Sequence, residues 1–258
     1  MSLFLSADGT PIHAAVSGQG PPLLLIHGTS ADHTRWNGVR AELESSFTVH
    51  AMDRRGRGGS GDSTDYSITR EFHDVAAVIA TLGHDALVLG HSYGAICALE
   101  ASLLAPPAKL VLYEPPIRTG DAAAPDMLVA ALDALLEAGD RDGVVATFLR
   151  EVVRMPPAEL DVLRGLPAWE GRVRAAHTLP RELRASNAYV FDPARFAELR
   201  VPTLVLAGGA SPPYFRNAAD AVVAALPDAR LAILPDQQHA AMDTARELFL
   251  REVTSFLG

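Results

Sequence analysis

Residues 86–94 read Ala86-Leu87-Val88-Leu89-Gly90-His91-Ser92-Tyr93-Gly94, and a helix-like pattern follows over residues 95–104. An apolar run that ends in G-x-S-x-G and opens a helix puts the serine on a tight strand-to-helix turn. The flanking glycines relieve crowding there, and the hydroxyl is carried out above the sheet edge. Ser92 is therefore a candidate nucleophile. The five-residue pattern alone arises by chance in Gly-rich loops, so the strand before it and the helix after it carry the reading.

Outward from this turn, short apolar runs bounded by Gly, Pro and Asp recur at residues 4–7, 12–16, 22–26, 47–52, 86–90, 109–113, 203–207 and 229–234. From the third onward they are nearly continuous in hydrophobicity, as parallel strands covered on both faces require. Between them, residues 35–45, 69–82, 92–104, 215–226 and 240–257 repeat apolar residues at helical spacing. Phe72, Val75, Ala76, Ile79 and Leu82 form one sheet-facing stripe. The fold class is α/β. Between Pro115 and Arg200 the rhythm turns wholly helical, over residues 125–138, 142–154, 157–163 and a stretch near 169–178. Such an insertion is expected to lie over the carboxyl ends of the strands, where open sheets bind ligands. The expected organisation is a core of residues 1–115 and 201–258 with a helical cap at 116–200.

The chain has 258 residues and a formal net charge of -9. That balance argues against nucleic acid or an anionic membrane as partner, because both reward clustered cations. Arg54-Arg55-Gly56-Arg57 is a short basic run among turn residues and reads as a solvated loop. The single cysteine, Cys97, permits no intrachain disulfide and is expected to pack against the sheet. No stretch of 18 consecutive apolar residues occurs, and residues 1–7 lack the pattern of a leader, so the expected location is cytoplasmic. No H-E-x-x-H and no histidine pair at ligand spacing occurs, and Gly56-Arg57-Gly58 lacks the rest of a dinucleotide fingerprint. The expectation is chemistry on a small-molecule substrate without metal or cofactor.

A serine hydroxyl is a poor nucleophile unless a base lies within hydrogen-bond reach and donors face the developing oxyanion. His239 follows the last strand, on the same sheet edge as Ser92, and is the candidate base. The backbone N–H of Tyr93, directly after the serine, and that of Thr29, in His27-Gly28-Thr29 after the third strand, are the candidate oxyanion donors. Trp36, Tyr93, Trp169, Tyr214 and Phe215 are aromatic candidates for a pocket wall.

Together His27-Gly28-Thr29, Asp53-Arg54-Arg55-Gly56-Arg57-Gly58-Gly59-Ser60, Gly90-His91-Ser92-Tyr93-Gly94 and Leu234-Pro235 through His239 make the chain resemble the α/β-hydrolase superfamily over essentially its whole length. The resemblance implies a mostly parallel eight-stranded sheet flanked by helices, a helical cap inserted after the sixth strand, and a serine hydrolase cleaving a small, largely apolar ester or related acyl compound. It also admits C–C hydrolysis, lyase or cofactor-free oxygenase chemistry, or a non-catalytic ligand receptor. Within the family, the stretch around Asp53 is more structural than catalytic.

The pattern breaks at the acid. Family members usually carry aspartate in a stretch resembling L-x-G-x-x-D after the penultimate strand, and here Leu206-Ala207-Gly208-Gly209-Ala210-Ser211 ends in serine. Two carboxylates remain. Glu114, in Tyr113-Glu114-Pro115-Pro116, stands where some members place the acid and is favoured. Asp236 is three residues from His239 and would have to fold back along a short loop.

Overall fold

The computed structural model describes residues 2–120 and 126–258. Eight strands, β1 (Ser2–Leu5), β2 (Pro11–Ser17), β3 (Pro22–Ile26), β4 (Thr48–Met52), β5 (Leu87–His91), β6 (Lys109–Tyr113), β7 (Thr203–Gly208) and β8 (Ala229–Leu234), form one sheet in the order β1-β2-β4-β3-β5-β6-β7-β8. Every pairing from β4 through β8 is parallel, and only β1 with β2 and β2 with β4 are antiparallel. The sheet is thus the mostly parallel, eight-stranded one that the sequence predicts.

The continuous apolar runs are explained by burial on both faces. Side chains alternate along a strand, so Leu24, Ile26, Val88, Val205 and Ala207 enter one core while Leu23, Leu25, Leu87, Leu89, Leu204 and Leu206 enter the other. The first core is covered by α2 (Ile68–Leu82), α3 (Tyr93–Ala101) and α9 (Pro213–Ala225), and Cys97 is buried in it. The second is covered by α1 (Arg40–Glu44) and α11 (Arg246–Leu257). The predicted stripe of α2 faces inward, with Phe72, Val75, Ala76 and Ile79 buried and Leu82 packed at its edge.

Two expected helices are interrupted. Over residues 35–45, a 3-10 turn, His33–Trp36, precedes α1, and the break falls at Asn37-Gly38, a turn-forming pair. Over residues 240–257, α10 (Ala241–Thr244) and α11 are separated at Ala245, whose backbone leaves the helical region (φ -143, ψ 56).

Between β6 and β7 lie α4 (Asp126–Glu137), α5 (Arg141–Glu151), α6 (Pro157–Arg164), α7 (Ala168–Arg174) and α8 (Thr178–Ala188). Pro125, the expected start of the first, lies outside the described residues. The stretch near 169–178 is two helices and not one, and α8 runs ten residues beyond the expectation. Its Pro180 reads as a breaker, but it sits in the first turn, where no N–H is needed. These helices bury a cluster of their own, including Val129, Leu132, Val145, Phe148, Trp169 and Leu179.

The basic run is the clearest correction. Arg54, Arg55 and Arg57 are buried, not solvated. Arg54 pairs with Glu71 of α2 (2.7 Å) and Glu182 of α8 (2.9 Å), Arg55 with Asp74 of α2 (2.6 Å), and Arg57 with Glu182. Those acids come from distant helices, so no local reading of the loop includes them, and their charges are what permit three guanidiniums inside.

Candidate active site

The sheet order reverses between β4-β3 and β5-β6, and in open parallel sheets such a point leaves a crevice at the carboxyl ends of the strands. Ser92 stands there, between β5 and α3, at φ 55 and ψ -127, a backbone region that L-residues avoid. The turn is held by close approaches that only glycine allows. A Cβ on Gly90 would lie 2.6 Å from the Gly94 carbonyl, and one on Gly94 would collide with the carbonyls of Ile26 and His27. Ser30, Glu114 and Asp236, three of the other four non-glycine residues at positive φ among the described residues, follow strands of the same sheet edge. Strain gathered at one edge is characteristic of functional sites.

The β3 loop passes directly over the serine, since a Cβ on Gly28 would lie 2.8 Å from the Ser92 Cβ and 3.4 Å from its Oγ. Thr29 follows in that loop. Tyr93 opens α3, so its N–H has no carbonyl one turn back to take it. From beneath, Arg54 braces the loop: its backbone N–H donates to His27 Nε2 (3.2 Å) and its Nη2 to the Gly28 carbonyl (3.3 Å). Burial, with the charges of Arg54 and Arg57, holds the His27 pKa well below its ordinary value, so this ring stays neutral.

Glu114 and His239 meet. Nδ1 of His239 is 2.6 Å from Oε2 of Glu114, whose Oε1 accepts from the Gly208 N–H at 2.7 Å. The glutamate is fully buried, while His239 is partly exposed. Asp236 is exposed and has no hydrogen bond to His239. Ser211, at the position where the acid was expected, has a buried Oγ without a partner.

The loop bearing His239 is tied down by residues that sequence reading missed. The Tyr113 hydroxyl donates to the Gln238 carbonyl and accepts from the Ala241 N–H (3.0 Å). His91 Nε2–H donates to the His239 carbonyl at 2.9 Å, and the two rings are 4.5 Å apart. Phe215 also stacks on the His239 ring, with centroids 4.6 Å apart at 20°. Tyr113 precedes Glu114 and His91 precedes Ser92, so each lay within a quoted motif. Only the fold reveals that they reach across to one loop. No hydrogen bond between Ser92 Oγ and His239 is made among the described residues.

The aromatic candidates separate. Phe215 lies against His239, and Tyr214 packs on Phe215 with ring centroids 4.1 Å apart. Trp36 is core, Trp169 belongs to the helical insertion, and Tyr93 is buried beneath Arg54 with its hydroxyl 2.7 Å from that of Tyr66.

Asp53 is a structural hub. Fully buried, it accepts from the His33 N–H (2.8 Å) and Gly59 N–H (2.9 Å), and its two oxygens face Nδ1 of His33 (2.8 Å) and of His13 (2.9 Å). The fold brings these three residues within ligating distance of one another although no spacing in the sequence announces it.

The insertion packs over this edge. Arg57 reaches Thr178 and Glu182 of α8, Asp62 pairs with Arg181 (2.8 Å), and Arg172 of α7 donates to the carbonyl and hydroxyl of Ser30. No described helix is long and apolar enough to cross a membrane.

A model of the "Alpha/beta hydrolase family" matches residues 23–252. An alpha/beta hydrolase from Sphaerobacter thermophilus is 37% identical, with TM-score 0.80 over 96% of this chain and 100% of that one. A hydrolase from Pseudomonas aeruginosa is 28% identical, with TM-score 0.81 over 100% and 98%. Among curated proteins, 2-(acetamidomethylene)succinate hydrolase from Mesorhizobium japonicum is 26% identical over 93% of this chain and 89% of its own length. A shorter match, 37% identical over 87 residues, joins 33% of this chain to only 26% of an uncharacterised Mycobacterium tuberculosis protein.

Proposed function

Because the chain belongs to the alpha/beta hydrolase family, we propose that it is a serine hydrolase that forms an acyl-enzyme on Ser92. The observation that carries this reading is the 2.6 Å contact between Glu114 and His239, at the sheet edge where Ser92 occupies its strained turn.

In this reading Ser92 Oγ attacks the substrate carbonyl carbon while His239 Nε2 takes its proton. The imidazolium that forms is held by the Glu114 carboxylate, which also fixes Nδ1–H as the donor and therefore leaves Nε2 free to accept. Negative charge on the carbonyl oxygen is received by the N–H groups of Tyr93 and Thr29. As the tetrahedral adduct collapses, the carbonyl–oxygen bond of the ester breaks, and His239 passes its proton to the departing alkoxide. Water, deprotonated by the same histidine, then attacks the acyl carbon, the bond to Ser92 Oγ breaks, and His239 returns the proton to Oγ as the acid leaves.

The substrate is a small ester or related acyl compound, apolar around the scissile carbonyl, where Phe215 supplies an apolar wall beside the base. Residues 116–200 act as a cap that closes over it. The name of the Mesorhizobium relative, a hydrolase of a small acyl compound, supports the substrate scale.

A fluorophosphonate probe tests the assignment: it should label wild type at Ser92, and Ser92→Ala should abolish both labelling and turnover of short p-nitrophenyl esters. Undiminished turnover in that variant would overturn the mechanism.

A further inference from the structure

Arg172 differs from the other deeply placed arginines of this protein. Arg54, Arg55 and Arg57 each have a carboxylate within the fold. Arg172, on α7, has none among the described residues. Its Nη1 donates to the carbonyl and, at 2.9 Å, to the hydroxyl of Ser30. Its Nε is closed off from solvent with no hydrogen-bond partner.

Two acids act on this guanidinium through space, Asp32 and Asp243, but neither forms an ion pair with it. Asp32 accepts from the N–H (2.9 Å) and hydroxyl of Thr34, and Asp243 pairs with Arg35 at 2.6 Å. Burial, together with the Arg35 charge, pulls the Arg172 pKa down to about 10, and the charges of Asp32 and Asp243 offset only part of that cost.

The location is informative. Ser30 follows Thr29, whose N–H the acyl-enzyme reading assigns to the oxyanion hole, and Gly28 of the same loop lies against Ser92. The guanidinium is therefore anchored one residue from the hole, on the insertion side. With Nη1 committed to Ser30, the vacant edge of the fork is Nε–H with Nη2–H, two parallel donors of the geometry that grips a carboxylate bidentately. In a chain of net charge -9, the overall field repels small anions, and selecting one requires such a local cation.

We propose that Arg172 is a specificity residue that binds a carboxylate on the acyl part of the substrate, which makes the substrate class short monoesters or related monoacyl derivatives of dicarboxylic acids. This rests on the acyl-enzyme reading above and adds a charged distal end to a substrate that is apolar near the reacting carbonyl.

The test pairs monomethyl succinate with its uncharged isostere methyl 4-methylpentanoate, and monomethyl glutarate with methyl 5-methylhexanoate. Wild type should prefer the anionic member of at least one pair by tenfold or more in kcat/KM. Arg172→Gln should reduce that preference by tenfold or more, mostly through KM, and Arg172→Lys should restore part of it. A strut that only holds α7 to Ser30 would instead lower both members of a pair equally.

A second measurement does not depend on turnover: glutarate or succinate should raise the Tm of Ser92→Ala, and the shift should vanish in the Ser92→Ala, Arg172→Gln double variant. Absence of any carboxylate-dependent shift, or equal loss for charged and neutral esters, overturns the assignment of Arg172. Active Ser92→Ala would overturn the acyl-enzyme reading and leave the binding result standing.

Discussion

The Glu114 carboxylate and the His239 imidazole, 125 residues apart in sequence, meet at 2.6 Å, while Asp236, only three residues from the histidine, has no bond to it. The reason is strand adjacency. β6 delivers Glu114 beside β7, the Gly208 N–H at the end of β7 holds one carboxylate oxygen, and the loop after β8 drops His239 onto the other. Glu114→Gln should therefore lower kcat by about four orders of magnitude, the scale of loss when a triad acid becomes an amide. Asp236→Asn should change kcat less than about twofold, as expected for an exposed side chain away from the chemistry. Steady-state kinetics of the two variants decide it, and the opposite ranking would assign the acid to Asp236.

Tyr113→Phe removes the hydroxyl that bridges Gln238 and Ala241 on either side of His239. If His239 is displaced from its role as the proposed base by a fraction of an ångström, the cost should be about tenfold to a hundredfold in kcat, with KM little changed. Wild-type kcat in this variant would mean that the loop is held without Tyr113.

Gly94→Ala forces a methyl group against the carbonyls of Ile26, the last residue of β3, and of His27 just after it. The expected loss is about 1–3 kcal/mol of stability, measured by urea unfolding. An unchanged midpoint would show that the elbow and β3 can separate.

Glu182→Gln neutralises the carboxylate shared by Arg54 and Arg57, both buried. Breaking a buried ion pair from one side costs about 3–5 kcal/mol. Because Glu182 is on α8 and the arginines follow β4, the same variant should also loosen the insertion, read as faster hydrogen exchange in α8. A loss below about 1 kcal/mol would indicate that the arginines are satisfied without it.

The His33–Asp53 pair makes stability depend on pH. Its hydrogen bond to Asp53 raises the His33 pKa above 6.5. Asp53 would be pushed up by burial, but hydrogen bonds from the His33 ring and the Gly59 and His33 N–H groups hold it well below 3.8. The histidine's contribution is therefore complete below pH 6.5 and lost as pH rises through its higher folded value. The aspartate's contribution is present above 3.8 and lost only as pH falls through its lower folded value. The stability difference between wild type and His33→Gln should be larger at pH 6 than at pH 8.5 in urea titrations. Equal differences at the two values would remove the pair from the pH response.

Much of the architecture was legible in particular residues. Leu23 to Ile26 and Leu87 to Leu89 are apolar at every position because both faces of their strands are buried, and that identifies a parallel sheet without coordinates. The elbow was equally legible, since Gly90 and Gly94 are needed by contacts made within a few residues or with the adjacent strand. Arg54, Arg55 and Arg57 were misread for the opposite reason: whether a guanidinium is solvated depends on acids in α2 and α8, which no window around residue 54 contains. α8 was overlooked because Pro180 suppresses a helical reading unless its place in the first turn is known.

By itself, the sequence determined the α/β class, the strand order in the chain, the serine on a tight strand-to-helix turn and the histidine after the last strand. Each rests on periodicity or local sterics, which act over a few residues. Only the tertiary structure decided which carboxylate faces His239, that three basic residues lie inside, and that Arg172 reaches the loop beside the serine without an acid of its own. Those are pairings between side chains far apart in the chain, set by which strands and helices become neighbours when the two cores close.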